Sequence, residues 1–285
     1  MTAEIIDGKG ISTQIKEEIA EEIKDLRKGR DTIPGLAVII VGEDPASLIY
    51  VRNKKKACEE IGIESFEYHT DLHTPQEDIL KTIHRLNQDK KIHGILVQLP
   101  LPKDIDTGLI LEGIAPDKDV DCFHPINMGK LMTNTADLLP CTSAGIIELL
   151  DHSNVKIQGK RAVILGRSNI VGKPTALMLL HRHATVTICH SRTEEIEDIT
   201  REGDILVSAI GVPRFVTGEM IKDGAIVIDV GINRINNKLV GDVDFDEVVR
   251  KASLITPVPG GVGPMTIAML MKNTLTAFKR QICMK

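Results

Sequence analysis

The first part of the chain alternates between segments with helical periodicity and short apolar runs. The apolar run at 36–42 is typical of a strand buried in a parallel sheet. Helical spacing predicts further helices over 47–63 and 75–89, and strands are predicted over 65–69 and 94–102. An amphipathic helix is predicted over 10–28, where apolar residues recur every three or four positions: Ile11, Ile15, Ile19, Ile23 and Leu26.

The second part of the chain repeats the order strand, helix, strand. We expect helices over 172–181 and 194–200, and strands over 161–166, 184–189, 204–211 and 225–232. Repeated β-α-β units predict a second parallel sheet with right-handed crossovers. The stretch 121–141 is rich in Pro, Asn, Thr and Asp and marks a boundary, and a last helix is expected from Pro264. The predicted fold class is therefore α/β with two domains.

Length and composition support a globular protein. The 285 residues suffice for about two domains. Hydrophobic residues make up 42% and charged residues 26%, which excludes a chain disordered throughout. The net charge of −5 lacks a basic excess, and with no Trp and only 2 Tyr the chain offers few stacking platforms. We therefore expect no nucleic-acid partner.

Targeting and cysteine patterns narrow the class further. No apolar run reaches the roughly 18 residues that span a bilayer, so we expect no membrane partner. The opening MTAEIIDGKG lacks the apolar stretch of a signal peptide. The five cysteines are scattered and form no CxxC pair, so we expect no metal site and a cytoplasmic protein.

A glycine-containing turn lies between a predicted strand and a predicted helix at 159–179. Gly166 takes the first place of a dinucleotide fingerprint, Ser168 stands at the second, and Val171 with Gly172 falls at the third. A phosphate-binding P-loop is excluded, because five residues separate Gly166 from Gly172 and Pro174 replaces the Ser or Thr that would hold Mg²⁺. On spacing alone, nucleotide binding and an ordinary tight turn both stay open.

Residues after the next strand favour NADP over NAD. An NAD site usually places an acid there to bind the ribose 2′-hydroxyl. This chain has Ser191 and Arg192 instead, and Arg167 lies in the glycine turn. Cationic and hydroxyl donors suit a 2′-phosphate. The alternative is that these residues form a solvated loop edge.

A second candidate cluster lies on the predicted helix 47–63. Tyr50 and Lys54 are four residues apart and share a helix face, with Arg52 and Lys56 nearby. A solvated basic face is the ordinary interpretation of such a charge run. An aromatic side chain beside a lysine also suits a planar ligand. A lysine crowded by cations and partly buried has a lowered pKa, which makes Lys54 a candidate acid/base group.

Seven segments in order resemble the bifunctional methylenetetrahydrofolate dehydrogenase/cyclohydrolase family. They span nearly the whole chain, and the unusual GxSxxVG turn is the form that family uses. The segments are YVRNKKKACEEIGI (50–63), GILVQLPLP (94–102), PDKDVDCFHPINMGKL (116–131), PCTSAGIIELL (140–150), GRSNIVGKP (166–174), DVGIN (229–233) and TPVPGGVGPMT (256–266).

The resemblance implies two linked reactions in one enzyme. NADP⁺ oxidises 5,10-methylenetetrahydrofolate to 5,10-methenyltetrahydrofolate, and water then converts the cation to 10-formyltetrahydrofolate. The resemblance gives the catalytic roles to four residues. Tyr50 lines the folate site, Lys54 serves the hydrolytic step, Gln98 hydrogen-bonds that lysine and Asp121 grips the pterin edge. Outside the family context, the ordinary interpretation of Asp121 is one acid of a solvated loop.

The resemblance also implies the wider binding sites and the domain roles. Residues 1–140, with the helix 264–285 packed on them, are expected to bind folate, and 141–263 to form a Rossmann-like NADP domain. A homodimer is typical of the family. Besides the four catalytic residues, the folate site is expected to include Val51, Lys56, Leu99, Pro100, Pro257, Gly260 and Gly261. The NADP site is expected to comprise Gly166, Arg167, Ser168, Val171, Gly172, Ser191, Arg192 and Ile232.

Two other functions remain as alternatives. A small NADP-dependent α/β dehydrogenase for a hydroxy acid would explain 140–285 but not YVRNKKK or VQLPLP. A folate- or nucleotide-binding protein without turnover would not require Lys54, Gln98 and Asp121 together.

Overall fold

The computed structural model describes residues 2–28, 32–236 and 238–283. Contacts within the chain divide it into two compact units. We call Thr13–Cys141 with Ile267–Lys285 the first unit, and Met1–Ser12 with Thr142–Thr266 the second unit. Among the described residues, no helix is both long and apolar enough to cross a bilayer.

Strands and helices alternate along both units. A short 3₁₀ turn covers Gly218–Met220. The strands are β1 (Glu4–Ile5), β2 (Gly35–Val41), β3 (Glu64–Thr70), β4 (Gly94–Val97), β5 (Arg161–Leu165), β6 (Thr185–Cys189), β7 (Ile205–Ser208), β8 (Ile226–Asp229), β9 (Asn233–Ile235), β10 (Lys238–Val240) and β11 (Leu254–Ile255). The helices are α1 (Gly8–Arg27), α2 (Pro45–Ile61), α3 (Gln76–Gln88), α4 (Thr107–Glu112), α5 (Pro125–Met132), α6 (Cys141–His152), α7 (Gly172–His181), α8 (Ile196–Arg201), α9 (Phe245–Val248) and α10 (Val262–Cys283).

The first unit is built on a three-stranded parallel sheet in the order β3-β2-β4. All seven residues of the central strand β2 are buried, as its apolar run predicts. Helix α3 turns Ile79, Ile83 and Leu86 into the core beside that sheet. Beyond β4, the backbone N–H of Ile95 donates to the carbonyl of Lys118 at 2.7 Å, so residues 118–120 run alongside β4.

Helix α2 has strong signals at both ends. The Asp44 side chain accepts a hydrogen bond from the Ser47 N–H, and Pro45 stands at the first helical position. At the other end Gly62 adopts a left-handed conformation with φ 85°, which lacks a steric cost only for glycine. These caps fix where α2 begins and ends, and therefore which way its side chains face.

The second unit contains a six-stranded parallel sheet in the order β1-β11-β8-β7-β5-β6. Strand β6 lies on one side of β5 and β7 on the other. The order of the strands therefore reverses at β5. In such sheets a crevice opens at this point, at the carboxyl ends of the strands. This arrangement confirms the predicted α/β class and the predicted second parallel sheet.

The element boundaries differ from the pattern at several places. The strands predicted to end at 102, 211 and 232 end at Val97, Ser208 and Asp229. After β4, Pro100 and Pro102 lack the N–H groups that a sheet requires. The pattern gave no sign of β1, β9, β10, β11, α4, α5, α6 or α9, most of which are too short to show a period.

Residues 2–12 pack differently from the predicted domain division. Strand β1 pairs in parallel with β11, so it extends the sheet of the second unit. A strand of two residues has no detectable alternation, so the sequence offered no reason to separate this segment from the first domain. Helix α10 covers most of the predicted C-terminal helix, and residues 284 and 285 lie outside the described part of the chain.

Two buried carboxylates hold the ends of β7 and β8. Asp229 accepts hydrogen bonds from the N–H groups of Gly231, Asp242 and Val243, at 2.9 to 3.0 Å. Asp242 in turn accepts from the N–H of Ile210 at 2.8 Å. Burial raises the pKa of Asp229 to about 6, and the neighbouring charge of Asp242 adds to the rise, although the three N–H donors oppose it.

This raised pKa predicts a pH-dependent stability term. Because the folded-state pKa exceeds the usual 3.8, Asp229 contributes most below pH 4, and its contribution is lost as the pH rises through 6. Over that window the wild type should lose on the order of 3 kcal/mol of unfolding free energy relative to Asp229→Asn. Urea unfolding at pH 4 to 7 measures the difference in slope. Asp246→Asn, at an exposed site, is the control, and parallel slopes for wild type and Asp229→Asn would contradict the assignment.

Candidate active site and nucleotide-binding turn

Lys54 is a buried lysine on the inner face of α2. Only 8% of its surface is exposed. Its Nζ donates a hydrogen bond to Oε1 of Gln98 at 3.0 Å. Burying a charged lysine costs free energy unless its charge is compensated. The partners of Lys54 therefore define the local chemistry.

Gln98 is held in one orientation by the backbone around it. It directly follows β4, and its N–H donates to the carbonyl of Ile39 on β2 at 2.9 Å. Its side-chain Nε2 donates to the carbonyl of Leu99 at 2.7 Å. Because the amide nitrogen is occupied there, the acceptor oxygen is the atom that faces Lys54.

Asp121 supplies the negative charge of the cluster. It follows the stretch that runs alongside β4, and it is half-buried. The nearby Asp119 has a structural role instead, since its carboxylate accepts from the N–H of His124 and from Nδ2 of Asn127. Of these two acids in PDKDVD, Asp121 therefore lies near Lys54, and Asp119 stabilises the loop through its hydrogen bonds.

Burial dominates the electrostatics of Lys54 and Asp121. Desolvation lowers the pKa of Lys54, and the charge of Asp121 opposes part of that fall. Desolvation raises the pKa of Asp121, and Lys54 opposes that rise. Both groups are thereby moved toward exchange of a proton, which suits acid/base chemistry.

The neighbours of Lys54 divide between the buried and exposed faces of α2. Tyr50, one turn earlier, is half-buried, and burial raises the pKa of its phenol. Val51 is buried. Lys56 is 75% exposed in its side chain and lies 3.8 Å from Glu60, so the structure does not bring it to Lys54. Arg52 is also exposed, and the expectation that cations lower the pKa of Lys54 is corrected, because desolvation is the cause.

Leu99 and Pro100 continue the segment that carries Gln98. Leu99 is half-buried and Pro100 is exposed, and the peptide bond between them is cis. Both residues are therefore placed directly beside the Lys54 partner along the chain.

Cys141 belongs to the same cluster, and sequence analysis missed it. Its thiol lies 3.3 Å from the Val120 carbonyl and also contacts the Asp121 carboxylate. Burial raises its pKa well above the usual value, so it is a neutral hydrogen-bonding group. The only signal was its position within the segment PCTSAGIIELL.

The second unit contains the predicted glycine turn between β5 and α7. Gly166 has φ 114°, and a side chain there would collide with the carbonyl of Ala209. A Cβ at Gly172 would collide with the carbonyl of Gly166, so the turn is closed to larger residues. Oγ of Ser168 accepts from the N–H groups of Val171 and Gly172, each at 3.2 Å, and so ties the turn to the start of α7.

Basic and hydroxyl side chains gather at one edge of the sheet beside this turn. Strands β5 and β6 are adjacent and parallel, with Leu165 opposite Cys189. Their following loops carry Arg167, Ser191 and Arg192, all exposed. The N–H of Arg192 donates to Nδ1 of His190 at 3.1 Å, which fixes the start of that loop. The set presents donors for an anionic group where a nucleotide sits in such folds.

The remaining predicted residues also lie in the second unit. Ile232 follows β8 and is 48% exposed. Gly260 has φ 109°, and the N–H of Gly261 donates to the carbonyl of Pro257 at 2.9 Å, forming a tight turn before α10. Among the described residues, no group of three or more His, Cys, Asp or Glu is arranged to hold a metal ion.

These features define a class of protein. One unit holds a glycine turn at the switch point of a parallel sheet, which is a nucleotide-binding arrangement. The other holds a buried lysine between an amide and a carboxylate, an arrangement suited to proton transfer. Together they are the parts of a two-domain, nicotinamide-dependent enzyme.

The chain belongs to the tetrahydrofolate dehydrogenase/cyclohydrolase family. Residues 6–121 match the family's catalytic domain, and residues 140–282 match its NAD(P)-binding domain. The resemblance expected from the seven segments is thereby confirmed.

Individual relatives agree over the full length. The chain is 59% identical to the bifunctional protein FolD of Acetivibrio thermocellus, and the match covers 100% of both chains. The FolD crystal structure from Campylobacter jejuni is 50% identical, with a TM-score of 0.96 over 98% of this chain and 99% of that one. The enzyme from Trypanosoma brucei, complexed with NADP and an inhibitor, is 44% identical, with a TM-score of 0.96 over 99% of both.

The contact between Gln98 and Lys54 makes a prediction about the lysine. Gln98→Leu removes the oxygen that favours the ammonium form, so the pKa of Lys54 should fall further. Titration of the ¹⁵Nζ signal of Lys54 by NMR measures it. Arg52→Leu, at an exposed site on the same helix, is the control. An unchanged Lys54 pKa in Gln98→Leu would show that the amide oxygen does not stabilise the charge.

Proposed function

We propose that this chain oxidises 5,10-methylenetetrahydrofolate with NADP⁺ and then hydrolyses the product to 10-formyltetrahydrofolate. The observation that carries the proposal is the buried Lys54, hydrogen-bonded to Gln98 and facing Asp121, in a chain of the tetrahydrofolate dehydrogenase/cyclohydrolase family. NADP⁺ supplies the hydride acceptor. The residues of the chain supply binding, orientation and proton exchange.

The oxidative step needs positioning more than a base. The lone pair of the neighbouring nitrogen drives hydride loss from the methylene carbon and leaves a delocalised cation. Tyr50 lies one turn from Lys54, and its ring suits stacking on the planar part of folate. Asp121 accepts hydrogen bonds from the N–H and amino groups of the pterin edge. Val51, Leu99 and Pro100 of the first unit are assigned to the same folate site.

The hydrolytic step needs proton transfer, and Lys54 supplies it. Water attacks the methenyl carbon, loses a proton and the ring opens as a nitrogen gains one. The lowered pKa of Lys54 favours exchange at Nζ, either as base toward the water or as acid toward the departing nitrogen. Gln98 and Asp121 set the charge of Nζ through the contacts described above.

The glycine turn of the second unit fits NADP. Gly166 and Gly172 leave room for the backbone to approach a pyrophosphate, and Ser168 is assigned to the same turn. Arg167, Ser191 and Arg192 are assigned to the 2′-phosphate, since they are exposed cationic and hydroxyl donors at adjacent strand ends. Val171 and Ile232 complete the assigned cofactor contacts. This fit favours NADP over NAD for the chain.

The alternative functions explain less of the chain. A hydroxy-acid dehydrogenase accounts for the second unit but not for residues 6–121, which match the catalytic domain of the folate family. A binding protein without turnover does not require a lysine with a lowered pKa beside an aspartate.

We also propose a homodimer in the cytoplasm. Strand β6 is at the edge of the six-stranded sheet, and Thr185, Thr187 and Ile188 on it are exposed. An edge strand of this kind pairs readily with a second copy across a two-fold axis. All five cysteines are free, which suits a reducing compartment.

Lys54→Met tests the proposed hydrolysis. The variant should lose cyclohydrolase activity by about 10²- to 10⁴-fold, because it removes the group assigned to proton exchange, while folate still binds. The decay of methenyltetrahydrofolate absorbance measures the rate, and fluorescence titration measures binding. Lys55→Met, at an exposed site on the same helix, is the control. Hydrolysis at the wild-type rate in Lys54→Met would refute the role of Lys54.

Arg192→Asp tests the cofactor assignment. A carboxylate in place of the guanidinium should repel the 2′-phosphate and lower the NADP⁺ over NAD⁺ preference in kcat/KM by about 10²-fold. Dehydrogenase assays with each cofactor measure that ratio. Arg182→Asp is the control for loss of a surface arginine. Arg182 directly follows α7, at the opposite end of that helix from the glycine turn, and pairs with Asp151. An unmoved preference in Arg192→Asp would refute the assignment.

A further inference from the structure

The backbone that carries Asp121 lies outside the regular helices and strands. The residue lies two positions after Asp119, which forms an isolated bridge with Ile95 of β4, and Cys122 after it adopts a left-handed φ of 63°. A residue in such a turn is not fixed by a helix or sheet ladder. Other contacts must therefore hold Asp121 at a constant place beside Lys54.

The carbonyl of Val120 provides those contacts. It belongs to the same planar peptide group as the N–H of Asp121, so fixing the carbonyl fixes the plane from which Asp121 extends. Two side chains donate to this oxygen: Nδ2 of Asn273 at 2.8 Å and the Cys141 thiol at 3.3 Å. Both lone pairs of the Val120 oxygen are thus used.

Asn273 also holds the segment that carries Cys141. It is a buried residue of α10, 6% exposed, and its Nδ2 donates to the carbonyl of Leu139 at 2.7 Å. The same nitrogen lies 3.6 Å from Sγ of Cys141. A carboxamide has two N–H donors, and here they are directed to two carbonyls. One side chain therefore links α10, the peptide before Asp121 and the residues before α6.

These contacts connect Asn273 to Asp121 through the Val120 carbonyl and Cys141. Asn273 fixes the Val120 carbonyl and the Leu139 carbonyl, and Cys141 contacts both the Val120 carbonyl and the Asp121 carboxylate. Asn273 itself touches neither Lys54 nor Asp121 through any of its hydrogen bonds among the described residues. Its effect on the site must pass through the backbone and the thiol.

We propose that Asn273 is a positioning residue that holds the Asp121 carboxylate in place for folate and for Lys54. The proposal rests on the folate-binding role given to Asp121 above. A side chain without donors at position 273 removes the hydrogen bond to the Leu139 carbonyl and leaves the Val120 carbonyl with only the Cys141 thiol, which lets the turn at 120–122 shift. Because a small displacement of a binding group weakens the reactive geometry, activity should fall although no group in contact with folate has changed.

The experiment is a double-mutant cycle between positions 273 and 121. Asn273→Leu removes both donors at similar size, and Asp121→Asn removes the carboxylate. Asn273→Leu should raise the KM for methylenetetrahydrofolate by about tenfold and leave the KM for NADP⁺ within about twofold. In the Asp121→Asn background, Asn273→Leu should raise the KM for methylenetetrahydrofolate by less than about twofold, because the group that Asn273 positions has already lost its function.

Thr274→Val is the matched control. Thr274 is the next residue of α10, equally buried, and its hydroxyl donates to the Leu270 carbonyl at 2.8 Å within the helix. This variant loses a buried hydrogen bond without touching the turn, so its melting temperature should fall while its KM for folate stays unchanged. Asn273→Ser keeps a single donor, so its KM for folate should lie between those of the wild type and Asn273→Leu. This variant also tests the proposal if the leucine variant does not fold.

The double-mutant cycle distinguishes a wrong role for Asp121 from a wrong role for Asn273. If Asp121→Asn leaves both activities at wild-type level, the role of Asp121 is wrong and this proposal falls with it. If Asp121→Asn is impaired but Asn273→Leu is equally harmful in both backgrounds, Asn273 has only a structural role and the proposal alone is overturned. A KM in Asn273→Leu no different from that of Thr274→Val also overturns it.

Discussion

Desolvation of the Lys54 ammonium is the constraint on which the candidate site depends. Burial on the inner face of α2 disfavours the charged lysine, and no exposed cation is needed to explain its lowered pKa. The fold compensates with an amide oxygen from the end of β4 and a carboxylate from the turn beyond it. Desolvation also raises the pKa of Asp121, so both groups of the site are shifted toward the opposite protonation state from their usual one.

The first unit supports this cluster through its small parallel sheet. Gln98 is oriented because its backbone continues the pairing of β4 with β2 and because its amide nitrogen is occupied by the Leu99 carbonyl. Asp121 is placed because residues 118–120 run beside β4 and because α10 anchors the peptide before it. The chemistry of one lysine is therefore set by backbone contacts of residues far apart in sequence.

The second unit follows a different principle, in which the absence of side chains matters most. Gly166 and Gly172 are required because any Cβ would meet a backbone carbonyl, and that close approach shapes the turn at the start of α7. Adjacent parallel strands then place the loops after β5 and β6 at one edge. The buried pair Asp229 and Asp242 holds the loops after β7 and β8 by accepting backbone N–H groups.

Local pattern determined the α/β class, the longer helices and strands and the glycine turn, because periodicity and turn chemistry are properties of neighbouring residues. The seven family segments added the family, its activity and the candidate site residues. Tertiary structure alone decided what depends on contacts across the chain. It paired β1 with β11, left Lys56 on the exposed face of α2, and brought Cys141 and Asn273 to the peptide before Asp121. Burial and hydrogen bonding between distant residues follow from packing, and a linear pattern carries no record of which residues will meet.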